Sequence, residues 1–292
     1  KKHRMTSSPL LSPTDTLLIF GDTGDGKTAQ VGELAKHIHY TTGKKTRLYT
    51  ADKGDAWGTI QHLINIGWID LQRLTGDPWK WLSHAVQGQV LKDGQWVSSK
   101  EDIGLLVYEG LTSVAETLLI DGTDKVARGQ HSGGEKRFTL GTEAGMVSSA
   151  NQTDVWLIQL RMQKEVWASQ NNGLPTIWTS ALRRAQDDQN NPITGPEILG
   201  KAMTTAAPRW FKYSFRIEGI AEMNGEKRHV LHLGSYKDMM SGMVKVLGNA
   251  RVPLDGGDVE IPNLIEPASV IEALKLLKAR EKAAEAAVQQ QK

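Results

Sequence analysis

A short apolar run that leads into a glycine-rich turn leaves this chain few ways to fold. Residues 16–20 read Thr-Leu-Leu-Ile-Phe, and the turn that follows them ends in Lys27 and Thr28. Apolar residues then recur on one helix face, at positions 31, 34, 35 and 38, which predicts a helix that ends near Gly43. A strand, a glycine-rich turn and a helix in this order are typical of an α/β unit.

The turn matches the pattern Gly-x-x-x-x-Gly-Lys-Thr, which has the chemistry of a phosphate-binding loop. Glycines allow backbone N–H groups to curl around a β-phosphate, and the helix N-terminus adds the positive end of its dipole. Lys27 should reach the β- and γ-phosphates, and the Thr28 hydroxyl should complete the coordination of Mg²⁺. The expected binding residues are Gly21, Asp22, Thr23, Gly24, Asp25, Gly26, Lys27 and Thr28. The two aspartates are unusual beside a polyanion, so we expect them either to weaken nucleotide binding or to turn outward.

Further strands and helices alternate along the chain. The expected strands are residues 16–20, 46–50, 103–108 and 174–182, and the expected helices are residues 112–119, 151–168 and 267–292. Residues 211–220 and 228–234 should form a hairpin that turns at Asn224 and Gly225. This pattern predicts an α/β fold with a mostly parallel central sheet, helices on both faces and a C-terminal antiparallel hairpin extension. We divide the chain into a flexible lead (1–14), a core (15–252) and a C-terminal extension with a terminal helix (253–292).

Acidic residues at strand ends are the candidates for metal binding and catalysis. Glu109 follows the strand 103–108, and Asp121 follows the apolar run 117–120. Since Asp121 also fits one continuous helix from residue 112, we favour Glu109 as the metal acid and keep Asp121 as the alternative. Hydrolysis also needs a group that orients or deprotonates water, and Asp52 is our first choice, ahead of Asp55.

Composition excludes several classes of function. The chain has 292 residues, 35 Lys and Arg, 33 Asp and Glu, and no Cys, which rules out a disulfide scaffold, a zinc-thiolate site and a thiol nucleophile. No apolar run approaches the ~18 residues of a membrane helix, and the basic start lacks the apolar region of a secretory signal. We therefore expect a cytoplasmic protein with no membrane partner. The net charge of +2 does not by itself indicate nucleic-acid binding.

The order of these parts resembles the RecA-like P-loop ATPase core, and most closely the small phage-encoded RecA-type recombination and single-strand annealing ATPases. The resemblance covers roughly residues 15–250. The matching segments are residues 18–28, 49–52, 107–113, 176–180, 193–201 and 210–237. The first segment identifies the resemblance by itself, and the others match only through their order and spacing. The resemblance implies a RecA-like fold, ATP hydrolase activity with ATP and Mg²⁺ as ligands, and, for a phage-encoded protein, the host cytoplasm.

The resemblance also implies roles for three polar positions outside the loop. Asp52 falls where the family usually has a catalytic glutamate, and Glu109 falls where it usually has an aspartate. Thr179 or Ser180, at the end of the fourth expected strand, falls at the position that senses the γ-phosphate. Both acids depart from the family pattern, which affects the expected hydrolysis rate and metal geometry.

The same resemblance implies two kinds of partner. Lys237, with Arg251 as a second candidate, lies near where related proteins give a cation to the neighbouring subunit's nucleotide, which implies a homo-oligomer with nucleotide at subunit interfaces. Segments 121–150 and 184–208 correspond to the loops that face single-stranded DNA. Residues 125–137 hold four Lys and Arg against one Glu, and such segments can follow phosphates without reading bases.

Three functions are consistent with these patterns. The leading one is a Mg²⁺-dependent, DNA-stimulated ATPase that acts on single-stranded DNA in phage-type recombination or annealing. The second is a nucleotide-gated assembly or loader protein with weak ATPase activity and a protein partner, since Asp52 and Glu109 both depart from the usual catalytic pair. The third is a small-molecule P-loop kinase, for which Arg183 and Arg184 are the nearest match to an arginine-rich lid.

Overall fold

The structure, a computed structural model, describes residues 10–52, 58–127, 152–186, 190, 192–199, 203–222, 225–233, 236–237, 244–245 and 262–290. The strands in these ranges are β1 (Thr16–Gly21), β2 (Lys45–Thr50), β3 (Ile69–Arg73), β4 (Gln89–Lys92), β5 (Gln95–Ser98), β6 (Ile103–Glu109), β7 (Thr176–Gln186), β8 (Pro192–Pro196), β9 (Tyr213–Ala221), β10 (Lys227–His232), β11 (Tyr236–Lys237), β12 (Val244–Lys245) and β13 (Leu264–Ile265). The helices are α1 (Lys27–Thr42), α2 (Gln61–Asn65), α3 (Pro78–Ala85), α4 (Leu111–Ala127), α5 (Gln152–Ser169), α6 (Met203–Ala206) and α7 (Val270–Gln290), with a 3₁₀ turn at Ala207–Trp210.

The central sheet is mostly parallel and carries β1 in its interior. Its strands follow the order β13-β10-β9-β1-β7-β6-β2-β3, and β8 pairs with the outer end of β7. From β9 through β1, β7, β6 and β2 to β3, every neighbouring pair is parallel. β10 is antiparallel to both β9 and β13, and β8 is antiparallel to β7. The predicted fold class, including the antiparallel C-terminal hairpin, is confirmed.

Helices cover both faces of this sheet. In β1, Leu17 and Ile19 belong to one apolar core, whereas Leu18 and Phe20 belong to the other, as the period of two along a strand requires. Residues of α1, α2 and α7 complete the first core, and residues of α3, α4 and α5 complete the second. Every position of β1 is buried, which explains why its sequence is a continuous apolar run rather than an alternating one.

The helix after the glycine-rich turn begins and ends where the sequence predicted. α1 starts at Lys27, directly after Gly26, and the four apolar positions 31, 34, 35 and 38 are buried. Gly43 closes the helix at φ 73°, and its N–H donates to the His39 carbonyl at 2.8 Å. This is the left-handed C-terminal cap that glycine adopts at little cost.

The prediction that residues 184–208 form a loop is wrong at its start, because β7 and β8 form a hairpin there. β7 runs to Gln186 instead of ending near residue 182, and it pairs with β8 from Leu182↔Pro196 to Gln186↔Pro192. The sequence pattern missed this pairing because the outer part of β7 extends past the apolar core. Polar side chains such as Arg184 are tolerated there because this part of the strand is only partly buried.

The expected loop from residue 121 is also wrong at its start, because α4 continues to Ala127. Val114 and Leu118 lie on the buried face of this helix, and Asp121 lies within the same helix rather than at a strand end. The rest of that segment, residues 128–150, lies outside the described residues, as do Asp55 and Arg251.

Residues 58–101, which gave no clear pattern in the sequence, supply the edge of the sheet. β3 pairs with β2, and the β4–β5 hairpin lies beside it with α3. Arg47 joins these parts, since its Nε donates to Asp70 at 2.7 Å and its Nη1 donates to the Gly88 carbonyl at 3.0 Å. A buried arginine that holds an edge strand and a hairpin is a tertiary arrangement, which hydrophobic periodicity cannot reveal.

The C-terminal part packs against the same sheet as the core. Val270, Leu274 and Leu277 of α7 belong to the core that α1 covers, and β13 extends the sheet beyond β10. The division at residues 15, 252 and 253 remains a prediction. Among the described helices, none has the length and apolar character needed to cross a membrane.

Candidate functional site

The glycine-rich turn lies at the carboxyl end of β1, in the centre of the sheet. Gly24 and Gly26 have φ values of 81° and 94°, a region that residues with a Cβ rarely adopt. Gly21 is required for a different reason, because a Cβ there would lie 2.5 Å from the Ile217 carbonyl oxygen of β9. Two glycines therefore shape the loop, and the third allows β1 and β9 to lie close together.

Lys27, the first residue of α1, folds back over the loop. Its Nζ donates hydrogen bonds to the carbonyl oxygens of Gly21 and Asp22, both at 2.9 Å. Burial lowers the pKa of Lys27, and nearby carboxylates, with Asp25 foremost, oppose that shift. The ammonium group thus lies at the loop, where it can exchange carbonyl oxygens for stronger phosphate acceptors.

The two acids of the loop have cationic partners from other strands. Asp22 forms an ion pair with Arg184 of β7. Asp25 is only 4% exposed, and its carboxylate accepts the Asp22 N–H at 2.8 Å and lies 3.6 Å from Lys227 Nζ of β10. The negative charge of these two aspartates is therefore compensated by Arg184 and Lys227 of the same chain. The effect of the aspartates on nucleotide affinity remains a prediction.

Glu109 meets the loop directly from the end of β6. The Thr28 hydroxyl donates to Glu109 Oε1 at 2.6 Å, across 81 positions of sequence. Burial raises the pKa of Glu109 to about 7. The Thr28 hydrogen bond opposes this shift, Asp52 adds to it, and Lys27 opposes it. Its other oxygen, Oε2, is buried and has no hydrogen-bond partner among the residues that the structure describes, which is costly unless a ligand contacts it.

These groups fit a magnesium ion held together with phosphates. Mg²⁺ prefers oxygen ligands and usually takes one or two from protein side chains, with water and phosphate oxygens completing the set. The Thr28 hydroxyl and the unpaired Glu109 oxygen supply such ligands beside the phosphate loop. No group of three or more metal-binding side chains occurs within the described ranges, so the ion would depend on the nucleotide for its remaining ligands.

A cavity of about 450 Å³ joins the loop to the other predicted site residues. Asp52, Glu109 and Thr179 all line it, together with Lys27 and Thr28. Thr179 Oγ1 accepts the Gly110 N–H at 3.0 Å. The Asp52 carboxylate lies beside the same glycine, with its oxygens 3.0 and 3.2 Å from where a Gly110 Cβ would be. The structure thus brings together the loop and three residues that the sequence separates widely. Asp52 and Glu109 lie at strand ends, whereas Thr179, which was expected at a strand end, lies inside the longer β7.

Ser180, the alternative to Thr179, also lines the cavity. Its hydroxyl donates to the Glu197 carbonyl at 3.1 Å, and Thr112 donates to the same carbonyl at 2.6 Å. Both hydroxyls therefore tie the cavity wall to the end of the β7–β8 hairpin. Thr179 contacts the glycine that follows Glu109. It is therefore the better placed of the two residues for the predicted contact with a γ-phosphate.

Several site residues were missed by sequence reasoning. Thr59, Thr112 and Ser113 line the cavity, and Arg184 and Lys227 hold the loop acids. Thr112 and Ser113 follow the strand-end Glu109 directly, so their position was a usable signal. The two cations come from strands far along the chain, and no sequence pattern links them to the loop.

Lys237 is separate from the central sheet, since β11 pairs with β12. Its role toward a neighbouring subunit therefore remains a prediction.

Comparison with solved structures gives distant similarities. No protein-family model matches the chain, and no curated protein matches it. Among solved structures, the chain is similar to the crystal structure of a KaiC-like protein from the hyperthermophilic archaeon Pyrococcus horikoshii. The match has 14% sequence identity and a TM-score of 0.41, and it covers 75% of this chain and 78% of the other. At this level of similarity, no residue role is transferred between the two proteins.

Proposed function

We propose that the chain is a P-loop ATPase that binds ATP with Mg²⁺ in the 450 Å³ cavity and hydrolyses it. The observation that carries this proposal is the hydrogen bond from Thr28 to Glu109, which joins the phosphate loop to a buried strand-end carboxylate. A turn that matched the glycine pattern by chance would have no reason to contact such an acid. Lys27 and the loop N–H groups complete a site with the charge that a triphosphate requires.

Each residue has a defined part in this reaction. Lys27 binds the β- and γ-phosphate oxygens, and the loop N–H groups orient the β-phosphate. Thr28 and Glu109 would hold Mg²⁺, which when bound neutralises charge that develops on the phosphate oxygens. Asp52 orients the attacking water or accepts its proton. Thr179 donates a hydrogen bond toward the γ-phosphate from the cavity wall.

The finer proposal is that this ATPase acts on single-stranded DNA in phage-type recombination or annealing. It is supported by the RecA-like order of segments and by the local excess of Lys and Arg in residues 125–137. A further support is that β7 continues from Thr179 at the cavity into a hairpin that carries Arg183 and Arg184. We propose a homo-oligomer in which Lys237 serves a neighbouring subunit's nucleotide.

The test is the rate of ATP hydrolysis, measured with and without Mg²⁺ and with and without single-stranded DNA, alongside the molecular mass in solution. We expect Mg²⁺-dependent hydrolysis that single strands stimulate, and a mass above that of one chain. Lys27→Ala should abolish turnover, whereas Lys36→Ala, on the outer side of α1, should not. If the native protein does not hydrolyse ATP, the proposed ATPase activity is refuted. If it hydrolyses ATP at the same rate with and without single-stranded DNA, the proposed action on DNA is refuted.

A nucleotide-gated assembly or loader protein is the second candidate. Two observations favour it: Asp52 and Glu109 both depart from the resembled family's catalytic pair, and Lys27 already has two acceptors within its own loop. In that case ATP would bind but turn over slowly. Stoichiometric capture of a protein partner that depends on ATP and not on DNA would support this candidate over the first.

A further inference from the structure

A second cavity lies at the carboxyl ends of β2 and β3. It measures about 360 Å³ and shares no lining residue with the phosphate cavity. β2, β3 and α3 form its base, and the β4–β5 hairpin forms its outer wall. Ligands of open α/β sheets bind at this edge, yet the proposed ATPase reaction uses none of these residues.

Three aromatic rings shape the cavity. Tyr49 and Trp81 are almost fully buried at its base, with ring centroids 5.9 Å apart in an edge-to-face arrangement. Trp96 of β5 is only partly buried, and one face of its indole stacks on His84 at 4.4 Å with an interplanar angle of 9°. Because His84 supports one face, the indole is held as a fixed platform, and such a platform suits a planar aromatic ligand.

Two glutamine side chains offer one acceptor and one donor to the cavity. Gln72 donates from Nε2 to the Asp70 carboxylate at 2.7 Å, which leaves its Oε1 as an acceptor. Gln89 contacts His84 through Oε1, which leaves its Nε2 as a donor. A neighbouring donor and acceptor match the pairing edge of a nucleobase, which presents the same two types of group.

Arg73 adds a positive charge at the rim. It is the last residue of β3 and is exposed, and its side chain makes no ion pair or hydrogen bond with any described residue. A guanidinium with no protein partner beside an aromatic cavity is complementary to a phosphate group attached to the base.

The cavity is held in shape before any ligand binds. Tyr49 donates its hydroxyl hydrogen to the Gln89 carbonyl at 2.8 Å, and Arg47 donates to the Gly88 carbonyl at 3.0 Å. These bonds fix the start of the β4–β5 hairpin to β2. A preformed pocket avoids much of the ordering cost of binding.

We propose that this cavity binds one unpaired nucleotide unit of single-stranded DNA, with the base against Trp96, its pairing edge at Gln72 and Gln89, and a phosphate at Arg73. The inference rests on the single-stranded DNA partner proposed above and gives that partner a binding site. The base must be unpaired, because the two amides take the edge that a complementary strand would occupy. Tyr49 precedes Asp52 by only three residues, so their Cα atoms are at most ~11 Å apart, and a bound strand would lie beside the hydrolysis site.

The experiment measures the affinity of a labelled 15-nucleotide oligo-dT by fluorescence anisotropy across a series of salt concentrations. Trp96→Leu should weaken binding by about tenfold or more, as loss of one base stack does. Trp96→Phe keeps an aromatic ring and should retain most of the native affinity. Arg73→Gln should weaken binding and reduce the salt dependence by about one phosphate contact. Trp156→Leu is the matched control, because Trp156 is 54% exposed on α5 and does not line this cavity.

The possible results are distinguishable. If the native chain binds the oligonucleotide and the Trp96 and Arg73 variants bind it equally well, the cavity assignment is wrong and the DNA partner stands. If the native chain shows no salt-dependent binding, the DNA partner and the cavity assignment both fail, whereas ATP hydrolysis is tested separately. If dTMP alone shows the same affinity and the same Trp96 dependence, the cavity takes a free nucleotide and the strand assignment is overturned. Should Trp96→Leu not fold, as judged by thermal unfolding, Arg73→Gln decides the outcome, and unchanged affinity and salt dependence in that variant would overturn the cavity assignment.

Discussion

Glu109 and Asp121 were the two candidates for the metal acid, and the structure puts them in different environments. Glu109 ends β6 and accepts the Thr28 hydroxyl at 2.6 Å, whereas Asp121 lies within α4 and does not line the cavity. The extra methylene of glutamate, compared with aspartate, lets a carboxylate on the strand reach the first turn of α1. Of the two carboxylates, only Glu109 therefore lies where a ligand of a metal ion in this cavity must be.

Glu109→Gln should accordingly lower Mg²⁺-dependent ATP hydrolysis by about 10- to 100-fold, because the amide offers a weaker, neutral ligand of the same shape. Asp121→Asn is the control and should leave the rate within about twofold. Steady-state hydrolysis at several Mg²⁺ concentrations measures both. A loss confined to Asp121→Asn would show that the metal acid is misassigned.

Substitution of Gly21 should affect the stability of the fold. A Cβ at this position would meet the Ile217 carbonyl oxygen at 2.5 Å, and backbone on both sides prevents a simple shift. Gly21→Ala should therefore lower the free energy of unfolding by about 1–3 kcal/mol, the usual cost of overpacking. Gly58→Ala, where a Cβ has nothing within 4 Å, should be close to neutral. Urea unfolding of the two variants checks the difference.

The sequence predicted the residues of the site that act through local chemistry. The glycines, Lys27 and Thr28 follow from one contiguous pattern, and Glu109 follows from its place after an apolar run. Arg184 could not be predicted, because its contact with Asp22 spans 162 positions and depends on how far β7 extends. Residues that act through tertiary contacts leave no periodic signal.

At the scale of elements, one buried carboxylate connects β1, β9 and α7. Asp15, directly before β1, is fully buried, and Lys212 and Lys278 approach its two oxygens at 2.9 and 2.8 Å. Burial raises the pKa of Asp15, but hydrogen bonds from Lys278, Ser12 and Lys212 outweigh that effect and hold it below its usual 3.8. The stabilisation from this carboxylate is thus present above pH 3.8 and is lost as the pH falls through the lower pKa of the folded state.

Asp15→Asn should lower the free energy of unfolding by about 1–3 kcal/mol at pH 7, since hydrogen bonds to a charged acceptor are lost. The difference from the native protein should shrink as the pH falls below 3.8, where the native carboxyl also becomes neutral. Chemical unfolding across the pH range measures this, and Asp102→Asn, at an exposed position, is the control. A difference that stays constant down to pH 2 would contradict the ionic role of Asp15.

The elements that the sequence predicted are those covered by apolar cores. β1, β2 and β6 were recognised because both of their faces are buried, and α1 was recognised because one face is apolar. β3 and the β4–β5 hairpin were missed, since they lie at the edge and mix polar with apolar residues. β8 was missed because it reads Pro-Ile-Thr-Gly-Pro, and prolines and a glycine are not typical of a strand.

For the whole molecule, ligand binding should appear as increased stability. ATP with Mg²⁺ at about 100 times its Kd should add about 2.7 kcal/mol, which corresponds to a rise in Tm of about 4–5 °C for a chain of this size. Differential scanning calorimetry measures the shift. Lys27→Ala should show little or no shift while unfolding near the native Tm without ligand. An equal shift in that variant would mean that the nucleotide binds elsewhere.

β7 has 11 residues and spans about 36 Å at 3.3 Å per residue. Its first half is clamped between β1 and β6 and carries Thr179, and its second half leaves the sheet as one arm of a hairpin. Thr179 at the cavity and Arg184, which pairs with Asp22, therefore lie on one continuous strand, five residues apart. At 3.3 Å per residue, about 17 Å of backbone separates the residue that lines the cavity from the residue that holds the loop acid.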